Sequence, residues 1–77
     1  MKYSREDEIN VNGENLYVID VLMHNGDEYI YAQGIVDGEV EGGYYVYNVT
    51  KDMKPVDDDA ELKTLIPLFI ENIQKDL

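Results

Sequence analysis

The chain has 77 residues and carries 17 acidic against 6 basic side chains, a net charge of −11 near neutral pH. This length limits it to one domain with one small core, and the charge disfavours direct binding to nucleic acid or to an anionic membrane. Cysteine is absent, which excludes disulfides and thiolate metal sites. No apolar run approaches the roughly 18 residues of a membrane span, and the first residues do not resemble a signal peptide. We therefore expect a cytoplasmic protein.

The first part of the chain predicts antiparallel strands joined by tight turns. The dipeptides Asn12-Gly13 and Asn25-Gly26 favour the positive φ angles of two-residue hairpins, and β-branched and aromatic residues flank them. Pro55 cannot donate to a ladder, so a strand that contains it must lie at a sheet edge. The predicted strands are residues 9–12, 16–23, 28–32 and 44–50, with a short fifth in 53–56; residues 37–43 predict a mobile loop, and the order of residues 1–7 is left open.

A helical period follows residue 57. Asp58 is the predicted N-cap because its carboxylate can accept from the backbone three residues on, where Glu61 completes a pattern like a capping box. Pro67 interrupts the pattern on the side opposite Phe69, which predicts one bent helix, with a break into two short helices near Ile66 as the alternative. The predicted buried face consists of Leu62, Ile66, Phe69, Ile70, Ile73 and Leu77, with Leu65 at its margin.

These elements predict an α+β fold, in which one amphipathic C-terminal helix packs on one face of an antiparallel sheet of four or five strands. Residues 1–77 form a single small domain in this prediction. The hairpin "VIDVLMHNGDEYIYAQ", the later strand "YYVYNV" and the cap and helix "PVDDDAELKTLIPLF" resemble the YrzB-like family of small acidic bacterial proteins over about residues 9–77. That family is itself a domain of unknown function, so the resemblance implies a fold and assigns no residue a role.

The sequence predicts neither an enzyme nor a metal or cofactor site. The only hydroxyl nucleophiles are Ser4, Thr50 and Thr64, and the single histidine, His24, is expected at a hairpin tip in solvent. Acidic pairs need a shielding cleft before they act as acid and base, and one sheet with one helix rarely encloses one. His24 supplies only one nitrogen ligand, and the acidic runs do not follow the calcium-loop pattern. We therefore expect a non-enzymatic protein without a cofactor.

Tyrosines alternate with aliphatic residues in two predicted strands. Tyr29 and Tyr31 share one face of the third strand, and Tyr45 and Tyr47 share one face of the fourth. We expect the helix to cover the aliphatic face and to leave these tyrosines partly exposed on the outer face. Because tyrosine is enriched at protein interfaces, this face is a candidate site for a partner or a second copy of the chain. The alternative is that tyrosine simply covers the outer face of the sheet.

The negative charge suggests the kind of partner. Its density over a domain of this size is within about a factor of two of that of duplex DNA. We expect an acidic module that binds a basic protein surface and inhibits or regulates a nucleic-acid-handling protein by charge mimicry, as phage anti-CRISPR or anti-restriction proteins do. The alternative is a bacterial housekeeping accessory protein of the YrzB-like kind, which acts through oligomerisation or a non-basic partner. The candidate contact residues are the tyrosines above with Asp37, Glu39, Glu41, Asp57, Asp58 and Asp59.

Overall fold

Five strands and one helix follow the chain in the predicted order. The computed structural model describes residues 1–76. The sheet is antiparallel throughout, with the strand order β1-β2-β3-β4-β5. The α+β prediction is confirmed, including the short fifth strand at an edge and the single helix. The elements are β1 (Glu8–Val11), β2 (Glu14–His24), β3 (Asp27–Gly34), β4 (Tyr44–Asn48), β5 (Lys54–Pro55) and α1 (Asp59–Gln74).

Two-residue turns connect the first three strands as predicted. Asn12 and Asn25 adopt φ angles of 51° and 50°, and the glycine after each has a φ of 84°. Both turns therefore have the positive φ angles of a hairpin turn whose twist matches the right-handed twist of the flanking strands. The predicted loop after β3 contains a third turn of this kind, because Asp37 has a φ of 51° and Val36 bridges to Glu39. We call residues 36–41 the acidic hairpin.

The register between β3 and β4 separates the two tyrosine pairs. Ile30 lies opposite Tyr47 and Tyr31 lies opposite Val46, so odd-numbered residues of β3 share a face with even-numbered residues of β4. Tyr29 and Tyr31 consequently lie on one face of the sheet, whereas Tyr45 and Tyr47 lie on the other. The prediction of one aliphatic and one phenolic face is wrong, since alternation within a strand does not determine the alignment of its neighbour.

The first core is built by the strands themselves. Val11 of β1 and Tyr47 of β4 belong to the same buried cluster, although three strand spacings, about 14 Å, would separate them in a flat sheet. The sheet therefore curls around this face. A register shift between Val18 and Asp20 of β2 allows both Val18 and Val21 to point into this cluster. We call it the strand core: Val11, Leu16, Val18, Val21, Ile30, Ala32 and Tyr47, flanked by Tyr3, Ile9, Val49 and Met53.

The second core lies between the opposite face and the helix. Tyr29 and Val46 of the sheet pack with Leu65 and Phe69 of α1, and we call this cluster the helix core. The helix thus covers the face that carries Tyr29 and Tyr31, and not the aliphatic face that the sequence predicts. Because the curl of the sheet already closes the strand core, the helix packs on the opposite face.

The helix is continuous from Asp59 to Gln74 with Pro67 inside it and exposed, which confirms the single-helix prediction. Its buried stripe is shifted from the predicted one, because Leu65 is buried at the centre whereas Ile66 and Ile70 are 36% and 48% exposed. Their assignment to the core is therefore wrong. The predicted core position Leu77 lies outside the described residues.

Residues 1–7 are tied to the sheet. The backbone N–H groups of Lys2 and Tyr3 donate to the buried carboxylate of Glu28 at 2.9 Å and 3.2 Å. Glu6 N donates to Val18 O, and Val18 N donates to Asp7 O, each at 2.8 Å. This segment therefore continues the edge of the sheet before β1 and lays Tyr3 against the strand core.

Candidate partner-binding surfaces

Negative charge is concentrated in the first two-thirds of the chain, the part that forms the first four strands and their connections. Between Glu6 and Thr50 the chain has ten acidic residues and no lysine or arginine, so this region alone carries −10 of the total −11. Residues 51–77 contain seven acids and four lysines, a net of −3, and residues 1–5 contribute +2. The chain therefore divides into a strand region without cations and a mixed C-terminal region.

The buried acids of the strand region hold the fold together. Asp20 is 1% exposed, and its two oxygens accept from Arg5 Nε at 2.7 Å and from Asn72 Nδ2 at 2.9 Å. The hydrogen bond with Asp20 raises the pKa of Arg5, which keeps the guanidinium charged. Arg5 also pairs with Asp76, beyond the end of α1. This network ties the N-terminal segment, the bulge of β2 and the helix together, which is a structural role.

The three acids of the acidic hairpin point into solvent. Asp37, Glu39 and Glu41 are all exposed, and within residues 1–76 their carboxylates form no hydrogen bond or salt bridge. The backbone closes where Gly42 N donates to Gly34 O at 2.9 Å, which fixes the hairpin at the end of β3. Asp37 lines an open concavity together with Glu8. These carboxylates are therefore free to meet cations on another molecule.

The acids before the helix have a different environment. Asp58 accepts from Glu61 N at 3.0 Å, which confirms its N-cap position. Asp57 and Asp58 line a depression that Lys51 and Lys54 also line, so nearby positive charge offsets them. Asp59 is exposed in the first helical turn. The six predicted acids thus fall into two groups of three: the hairpin acids are unpaired, whereas the acids before the helix are partly neutralised and partly used for capping.

The four predicted tyrosines do not form one surface. Tyr29 and Tyr47 are buried in the helix core and the strand core, where burial raises the pKa of each phenol. Tyr31 is half-buried, and burial also raises its pKa. Tyr45 donates to Glu14 Oε1 at 3.1 Å, and this bond raises its pKa. Only Tyr31 and Tyr45 remain as contact residues, and both line the groove described next.

A groove between β4 and α1 gathers exposed apolar side chains that the sequence analysis missed or assigned to the core. Tyr44 is 62% exposed, and its ring stacks on that of Tyr31 with the ring centroids 5.8 Å apart. The ring of Tyr31 in turn packs on that of Phe69, with a centroid distance of 5.5 Å. Tyr45, Pro55 and Asp57 lie at the groove's margins. The groove has a volume of about 270 Å³, and we call it the tyrosine groove; its apolar lining is Tyr31, Tyr44, Val46, Val56, Leu62 and Ile66.

Two features could have pointed to this groove. Tyr44 directly follows Gly42 and Gly43 and begins β4, at a position with which β5 does not pair. Ile66 and Ile70 are spaced by four residues and form a second helical stripe beside Leu65 and Phe69. Periodicity alone shows a broad apolar arc, and it does not tell which edge of the arc the sheet leaves uncovered.

Two of the groups that could act in catalysis are engaged in local bonds. His24, Asp27, Glu61 and Thr64 line one open depression. Asp27, however, accepts from Asn48 at 3.0 Å, and the Thr64 hydroxyl donates to Ala60 O at 3.2 Å. Over residues 1–76, no three His, Cys, Asp or Glu side chains are grouped so that they could hold a metal ion. In the same part of the chain, no helix is long and apolar enough to cross a membrane.

Comparison with known proteins assigns no role to any of these residues. The chain matches no protein-family model, no curated protein and no solved structure. The candidate surfaces are therefore defined by geometry and charge: the acidic hairpin and the tyrosine groove.

Proposed function

We propose that this chain is a non-enzymatic, cytoplasmic acidic module that binds a basic protein surface and regulates or inhibits a nucleic-acid-handling protein by charge mimicry. The observation that carries the proposal is the strand region of residues 6–50, which has ten acids and no lysine or arginine. The acidic hairpin is its most exposed part. Its carboxylates have no cationic partner within the described chain, so a partner's lysines and arginines could approach them without displacing one.

Charge density supports this choice of partner. The net charge of −11 along the longest extent of 34 Å corresponds to about 0.3 charges per Å, roughly half the 0.6 per Å of duplex DNA. The field around this chain therefore has the same sign as that of DNA and a comparable strength. A protein groove that attracts DNA would attract this chain as well. Association with such a groove is steered by long-range attraction and slows as salt is added.

The test is competition with DNA. Immobilised protein is incubated with bacterial lysate at low ionic strength, and bound proteins are challenged with duplex DNA or with added salt. We expect basic nucleic-acid-binding proteins to be retained and to be released by both treatments. The variants Glu39→Lys and Glu41→Lys should lower this retention strongly.

Glu71→Lys is the matched control, because it reverses an exposed charge on the helix and changes the net charge by the same amount. If only the two hairpin variants retain fewer basic proteins, binding is assigned to the acidic hairpin. If all three variants lose retention equally, binding depends on net charge only. Retention that ignores salt, DNA and both hairpin variants would contradict the proposal.

That contrary result would favour the second candidate, an accessory protein of the YrzB-like kind that acts through oligomerisation or a non-basic partner. The exposed apolar tyrosine groove is the observation that supports it. A homodimer would appear directly in sedimentation, as a mass that rises with protein concentration.

A further inference from the structure

We propose that the tyrosine groove binds an extended segment of a partner protein, in which one apolar side chain is flanked by lysine or arginine. This site is separate from the acidic hairpin, so it goes beyond the function proposed above and does not depend on it. The argument rests on an open strand edge, an apolar floor beside it and the charge around both.

The open edge is the first part of β4. Tyr47 and Asn48 pair with Pro55 and Lys54, and Val46 O accepts from Val56 N at 2.8 Å. The preceding residues, Tyr44 and Tyr45, pair with β3 only, and no other strand of the described chain continues along their outer side. An exposed strand edge offers backbone groups to an added strand.

The chain itself stops the sheet at this point. Pro55 has no N–H to donate, and after Val56 the backbone turns toward the N-cap Asp58. The short β5 therefore covers the end of β4 and leaves its beginning open. An incoming extended segment would lie between Tyr44 and the first half of α1.

The floor beside this edge suits one apolar side chain. Tyr44 and Ile66 stand on the two sides of the groove and are 62% and 36% exposed. Tyr31 forms the base, held from below by Phe69, which is completely buried. Because Tyr31 packs on the buried Phe69, the base of the groove is part of the helix core. Strand addition with a side-chain pocket beside the edge is a known mode of peptide recognition.

Charge selects the occupant. Asp57 is the one charged residue that lines the groove among residues 1–76, and the whole chain carries −11. A second copy of the chain would bring the same negative charge to the groove, which opposes self-association. A segment with lysine or arginine beside its apolar residue is attracted by the overall field, and Asp57 adds a smaller local attraction because Lys51 and Lys54 lie near it.

The experiment uses a synthetic unstructured peptide in which one leucine lies between lysines, titrated into the full chain labelled for NMR. Two control peptides replace the leucine by serine or the lysines by glutamate. We expect the first peptide to shift the amide signals of Tyr44, Tyr45 and Ile66, and both controls to bind at least about tenfold more weakly, since each lacks one part of the recognition.

Two helix variants assign the site. Ile66→Ser should weaken binding of the leucine peptide by about tenfold, because it removes an apolar wall of the groove. Ile70→Ser is the matched control, because Ile70 is exposed on the same helix one turn further on and does not line the groove. Ile70→Ser should leave binding of the leucine peptide unchanged. Amide spectra of both free variants show whether they are folded.

Four results would overturn the proposal. Three are equal binding of the serine peptide, signal shifts confined to the acidic hairpin, and equal weakening by Ile66→Ser and Ile70→Ser in folded protein. The fourth is a dimer in sedimentation that Ile66→Ser abolishes, which would assign the groove to a second copy instead. Each of these results leaves the DNA competition test of the acidic hairpin unaffected, so failure of one proposal is distinguishable from failure of the other.

Discussion

The two faces of the sheet are closed in different ways. The strand core is closed by the curl of the sheet and by Tyr3 of the N-terminal segment, so it is made by contacts among strands. The helix core is closed by a single helix that buries only Leu65 and Phe69 fully. The first face is sealed, whereas the second ends in the open tyrosine groove. One helix is too narrow to cover a sheet face of five strands, and its uncovered border is where apolar surface remains.

The largest effect should come from Phe69→Ala. Phe69 is the largest fully buried side chain, and its removal leaves a cavity between Leu65, Tyr31 and the sheet. We expect the free energy of unfolding to fall by about 3–5 kcal/mol, a large share of the roughly 5–15 kcal/mol that is typical of a folded domain. The measurement is urea denaturation followed by circular dichroism. Ile70→Ala should cost less than about 0.5 kcal/mol, and similar losses in both variants would show that the buried stripe is not where we place it.

Asp20→Ala tests the link between the two faces. It removes hydrogen bonds with Arg5 and Asn72 at a buried position, and bonds of this charged kind contribute about 2–3 kcal/mol to the free energy of unfolding. Glu8→Ala, at an exposed acid of β1, should change stability by less than about 0.5 kcal/mol. Equal effects in thermal denaturation would mean that the Asp20 network adds nothing to stability.

Gly42→Ala examines the closure of the acidic hairpin. A Cβ at Gly42 would lie 2.8 Å from the Cα of Gly34, so one of the two backbone segments must shift. We expect a loss of about 1–3 kcal/mol. The control is Gly43→Ala, whose Cβ would meet Tyr45 at an ordinary 3.6 Å. If Gly42→Ala is as stable as Gly43→Ala by chemical denaturation, the two glycines do not approach as described.

Asp58→Ala separates capping from partner binding. Loss of the bond to Glu61 N should lower stability by about 1 kcal/mol, and Asp58→Ser should restore most of it because serine also caps. If the basic proteins of the DNA competition test still bind to both variants, Asp58 acts in folding and not in recognition. If Asp58→Ser instead restores stability but not binding of the basic proteins, the Asp58 carboxylate is part of the contact with them.

Alkaline pH should weaken both cores in a graded manner. Burial raises the pKa of Tyr29, Tyr31 and Tyr47 above the ordinary value of 10.0, so folding favours the neutral phenols. Their contribution is complete below pH 10 and is lost as the pH rises through the folded-state pKa values. The free energy of unfolding should therefore fall from about pH 8 to about pH 11. In the Tyr47→Phe variant it should fall less steeply over the same range, because one buried phenol is absent. A constant value over this range would contradict the burial of these phenols.

Local signals explain the parts of the fold that could be predicted. Asn12-Gly13, Asn25-Gly26 and Asp58 act within two or three residues of chain, so their turns and cap can be recognised without tertiary context. The faces of the tyrosines depend on more distant contacts. The close approach of Gly34 and Gly42 sets where β4 begins beside β3, and a shift by one residue would have exchanged the faces of Tyr45 and Tyr47.

The candidate sites divide in the same way. The acidity of residues 37–41 and their exposure follow from composition and turn residues, and the structure places all three acids in solvent. The tyrosine groove joins Tyr31, Tyr44, Val56 and Ile66, which lie up to 35 positions apart in the chain, so no local pattern could assemble it.

The amino-acid order alone therefore determines the charge, the turns, the helix cap and the number of elements, because each of these depends on neighbouring residues. Tertiary structure alone decides which sheet face meets the helix, which stripe of the helix is buried and which acids are paired. These outcomes depend on the register of strands and on how far a curved sheet can cover itself, and both arise only when distant segments are packed together.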